Sequence, residues 1–73
     1  MINRDRYDQI SDCVFEVLGK VVVMSEVHYI IEHLPREVKL MAEQWGWNDT
    51  EVANMTFRWI RDNKESIVTQ FNK

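Results

Sequence analysis

The sequence predicts an all-α fold: a compact domain of three to four helices, three long and one short, formed by residues 1–73. Three observations predict it. Apolar residues recur three and four positions apart over most of the chain, the spacing that gathers them on one helical face. The 2 Gly and 1 Pro stand between these stretches, where helices end. Ser and Asp/Thr, the preferred N-caps, stand at the start of two of them. At 73 residues there is room for one domain only, since domains run to about 100–150 residues.

Asp5 to Leu18 reads as the first helix, with Tyr7, Ile10, Val14, Val17 and Leu18 on one face. Gly19 is placed as its left-handed C-cap. Lys20 to Met24 contains three consecutive β-branched valines, which favour extended backbone. A lone strand needs a partner, and the only β-leaning one is Ile67-Val68-Thr69. These segments therefore pair as a short two-stranded ribbon, or the valines form a buried connector. Ser25 is the expected N-cap of a short helix from Glu26 to Leu34, which buries Val27, Ile30, Ile31 and Leu34. Pro35 ends it and suits the first turn of a helix from Arg36 to Trp45. Val38, Met41, Ala42 and Trp45 make the inner face of that helix, and Gly46 terminates it. After a tight turn at Trp47-Asn48-Asp49, a last helix runs from about Thr50 to Asn63, with Asp49 or Thr50 as its cap.

From Val38 to Met55 the spacing resembles the helix-turn-helix of small bacterial and phage regulators. A small residue, Ala42, stands in the first helix, and a turn glycine, Gly46, follows four positions later. Met41, Trp45, Trp47, Val52 and Met55 fill the apolar positions around them. The likeness covers about a quarter of the chain. Two tryptophans are bulky for that motif, and its turn carries Asp49. The resemblance implies that Thr50 to Asn63 is a recognition helix. Asn48, Thr50, Asn54, Arg58 and Arg61 would then contact DNA, since Asn and Arg are preferred readers of base edges and phosphates. The competing reading is a solvated face on which Arg58 and Asp62 pair.

The apolar side of the same helix covers roughly 200°, wider than the stripe one core needs. It holds Met55, Trp59, Val52, Thr56, Ile60, Ala53 and Phe57. Either two neighbouring elements cover it, or part of it, around Phe57 and Ile60, is an interface. Trp45 continues the Val38 face and is expected in the core. Trp47, beside Asp49 and Glu51, is expected to be exposed as an anchor for another protein.

Other chemistry finds little support. His28 and Glu32 share a helical face but His33 points elsewhere, and two ligands on one helix do not make a metal site. Cys13, the only cysteine, reads as a small buried thiol. No Gly-rich phosphate loop or carboxylate pair at a cleft is present, so the sequence predicts a non-enzyme without cofactor or metal. A single cysteine, no apolar leader in Met1 to Asp12 and no long apolar run predict a cytoplasmic protein not bound to a membrane.

Charge separates the two remaining functions. The 9 Lys+Arg and 12 Asp+Glu leave a net −3. Residues 36–57 carry two basic and four acidic side chains, and only Arg58 to Lys73 is basic. A DNA reader normally sets a positive field around its recognition helix. The preferred expectation is therefore a small regulatory protein that binds and modulates another protein through Trp47, Phe57 and Ile60. Short acidic chains of this kind resemble the accessory modulators of phages and mobile elements. The alternative is a sequence-specific DNA-binding regulator, and a homodimer suits either.

Overall fold

The computed structural model describes residues 4–72. Among these residues it forms five helices: α1 (Arg4–Leu18), α2 (Met24–His33), α3 (Arg36–Trp45), α4 (Thr50–Asp62) and α5 (Lys64–Phe71). The all-α class stands, with one helix more than the periodicity predicts. α1 packs on α4, α2 and α5, and α4 packs on α3 and α5. The radius of gyration, 11.3 Å, equals the roughly 11 Å of a close-packed chain of this length. Among the described residues no helix is long and apolar enough to cross a membrane.

The core follows the helical faces. Ile10 and Val14 of α1, Val27 and Ile30 of α2, Val38 and Ala42 of α3, and Val52 and Ile60 of α4 meet in one buried cluster. Cys13, Val22 of the connector, Leu34, Trp47 and Ile67 of α5 complete it. One polar pair joins this interior: Gln9 Nε2 donates to Thr56 Oγ1 at 3.2 Å, linking α1 to α4.

Both glycines end helices as expected. Gly19 has φ 65° and Gly46 has φ 92°, values open to glycine and costly for side chains carrying a Cβ. The N–H of Gly46 closes the last turn of α3 on Ala42 O at 2.9 Å. Asp49 caps α4, its Oδ1 accepting from the Glu51 N–H at 2.9 Å.

Three expectations fail for local reasons. No strand forms among the described residues, so there is no ribbon. Ile67-Val68-Thr69 is helical because α5 can place Ile67 and Phe71, four apart, against the rest of the fold, with Tyr29 edge-on to Phe71 at 6.0 Å. The valine segment takes the other expected form, a connector, which buries Val22 and leaves Val21 and Val23 open. Ser25 is not the cap of α2. The helix starts at Met24, and Glu26 turns back to accept the Val23 N–H at 3.1 Å and the Lys20 ammonium at 2.7 Å. That carboxylate takes the N–H of the residue before the helix, the return half of a capping box. Finally, the two tryptophans flanking Gly46 exchange their expected places, with Trp47 6% and Trp45 50% exposed.

Candidate functional surface

α4 is the element on which both functional expectations converge. Its wide apolar side resolves into three strips. Val52, Thr56 and Ile60 run down the centre and are fully buried. Ala53 and Phe57 flank them on one side and Met55 and Trp59 on the other, all four half-buried. A helix lying across a core presents its centre line fully and its shoulders partly, and here both shoulders are apolar.

Each shoulder borders a groove. Beside α1, Ala53, Asn54 and Phe57 face Asp12, Cys13 and Glu16. Beside α3, Met55, Arg58, Trp59 and Asp62 face Pro35, Glu37 and Val38. Of the residues expected to anchor a protein partner, Phe57 therefore lies at a groove. Ile60 is 0% exposed and belongs to the core, because its direction on the helix is that of Val52 and Thr56. Trp47 is buried as well. The turn at Gly46, with ψ 154°, brings the indole back onto α1, where the Arg6 guanidinium lies 5.4 Å from its ring centroid.

Trp45 takes the exposed position instead. It shares the helical direction of Val38, yet it is the last residue of α3 and half of it remains open. Leu40, Phe15, Val21 and Val23 are also more than half exposed. A helical wheel could not have found Trp45, because it gives direction around an axis and not whether a neighbour reaches the helix end.

The residues expected to read DNA are all at the surface. Asn48, Thr50, Asn54, Arg58 and Arg61 are exposed. Arg58 and Asp62 are not paired. Asp62 instead lies 3.7 Å from Arg61, with both side chains open to solvent, a contact worth little.

Burial, then the charges of Asp12 and Glu16, push the Cys13 thiol up to about 11, so it is protonated at neutral pH. His28, Glu32 and His33 are exposed. His33 stacks on Tyr29 at 4.2 Å, and its Nδ1 lies 2.8 Å from the Tyr29 carbonyl. Among the described residues no three His, Cys, Asp or Glu side chains come together as a metal site would need. No protein-family model matches the chain, and no match is found among curated proteins or solved structures.

Proposed function

We propose that the chain is a small non-enzymatic regulatory protein that acts by binding another protein. The contact is made by apolar side chains left open at the surface, Trp45 first and Phe57 second. The half-exposed Trp45 carries this reading. A large aromatic held at the end of a helix is the side-chain type that dominates protein contacts, and the acidic Glu43, Asp49 and Glu51 close to it in the sequence disfavour nucleic acid. The same role was expected of Trp47, which is buried, and the proposal moves it to the exposed tryptophan two residues earlier.

A second reading keeps one specific support. Asn48, Thr50, Asn54, Arg58 and Arg61 are all open to solvent, as a helix-turn-helix regulator contacting DNA through α4 would require. Against it stands the acidic stretch of residues 36–57.

Affinity capture from an extract of the source cells, with mass spectrometry, separates the two. The expected result is a protein retained by the wild type and by the Arg58→Ala/Arg61→Ala double variant, and lost with Trp45→Ala. A shift of duplex DNA by the purified wild type, steeply salt-dependent and abolished in the arginine variant, would overturn the proposal.

A further inference from the structure

The groove between α1 and α4 combines an apolar floor with a rim of one sign. Cys13, Ala53 and Phe57 form the floor, and Asp12 and Glu16 stand along the α1 edge. Both carboxylates are exposed, and neither is paired with any described residue. They lie four residues apart, one helical turn or about 6 Å along α1. On the α4 edge Asn54 is neutral. Arg61, one turn beyond Phe57, is turned to Asp62 and does not line the groove.

We infer that this groove is a docking site for a basic amphipathic helix of another protein, one apolar side chain set against Phe57 and Ala53 and two cations, three or four residues apart, set against Asp12 and Glu16. This inference rests on the protein-binding reading and assigns it a partner class, at residues other than Trp45. Grooves between two packed helices take a third helix by its apolar stripe, and the i, i+4 carboxylates select the charge that flanks that stripe. The field reaches the floor of the groove. Burial first, and then the charges of Asp12 and Glu16, push the Cys13 thiol up, so both carboxylates act on a residue of the groove floor. Complementary charge of this kind raises the rate of encounter and rejects acidic helices.

The test uses three helical peptides of about 18 residues, long enough for several turns. One has an apolar stripe flanked by lysines, one the same stripe flanked by glutamates, and one the lysine composition scrambled. Each is titrated into the ¹⁵N-labelled full chain. The lysine-flanked peptide should shift the amides of Asp12, Cys13, Glu16, Ala53, Asn54 and Phe57. Its affinity should fall about tenfold in Asp12→Asn/Glu16→Gln, a loss of about 1.4 kcal/mol. The equal neutralisation Glu37→Gln/Glu43→Gln on α3 should leave it unchanged. Because all four carboxylates are exposed, both double variants should fold.

Equal binding of the lysine- and glutamate-flanked peptides, or equal loss in the two double variants, overturns the inference. So do shifts that map elsewhere, or the same amides shifting on dilution of the protein alone, which would make a second copy the occupant. If Trp45→Ala still abolishes partner capture while the groove is silent, this inference alone fails. If the protein instead shifts DNA, the protein-binding reading fails with it.

Discussion

Trp45 and Trp47 have the same side chain and sit two positions apart, so their different fates isolate what position contributes. Trp47 is enclosed against α1 beneath Arg6, while Trp45 ends α3 half in water. Trp47→Ala should cost about 3–5 kcal/mol by leaving a cavity the fold cannot close. That is much of the 5–15 kcal/mol by which domains are stable. Trp45→Ala should stay within about 0.5 kcal/mol. Urea unfolding followed by circular dichroism checks both, and equal losses would contradict the exchange of places. None of this was legible from spacing. A wheel describes residues inside a helix, and Trp47 lies in a turn whose path depends on the φ 92° backbone at Gly46.

At the scale of elements, helix starts and stops were legible wherever one residue type suffices. Gly19, Pro35, Gly46 and Asp49 bound the helices as their chemistry dictates. The start of α2 was missed because its cap comes from inside the helix: Glu26 binds Val23 N–H and Lys20 together. Partial burial raises the Glu26 carboxyl, but the hydrogen bonds from Lys20 and Val23 and the Lys20 charge outweigh it and hold the group below its ordinary 4.5. A carboxylate lowered on folding stabilises fully above its unfolded value and ceases to do so as pH falls through the folded one. Thermal melts between about pH 6 and pH 3 should therefore show a loss of stability at the acid end that is smaller in Glu26→Gln. That variant should also be less stable at neutral pH, by about 0.5–1 kcal/mol. Parallel pH curves for the two proteins would show that this latch contributes nothing.

The whole molecule depends on α5, the helix that periodicity did not predict. Its one fully buried side chain, Ile67, joins the main cluster, and Phe71 lies against Tyr29 with the Lys20 ammonium 4.7 Å from its ring centroid. Deleting residues 64–73 removes both. Loss of a buried Ile alone costs about 2–5 kcal/mol, so the truncated chain should melt well below the full one and bind a hydrophobic dye. An unchanged melting temperature would place α5 outside the cooperative unit. The ribbon, one of the two readings of the valine segment, fails on this same helix. Valine and isoleucine favour strands only when a neighbouring strand is there to pair, and the connector at Lys20–Val23 offers none.

The amino-acid order by itself determined the helical class, most helix boundaries, the acidic body with its basic end, and which α4 residues face water. Each follows from side-chain spacing or single-residue backbone preference, which act over one or two turns. Only the tertiary structure decided which tryptophan is open and that the shoulders of α4 become two grooves. It also decided that Asp12 and Glu16 stand beside Phe57, more than forty positions along the chain. Such facts depend on how far one helix extends past its neighbour and on how a turn redirects the chain. Local periodicity carries no record of either.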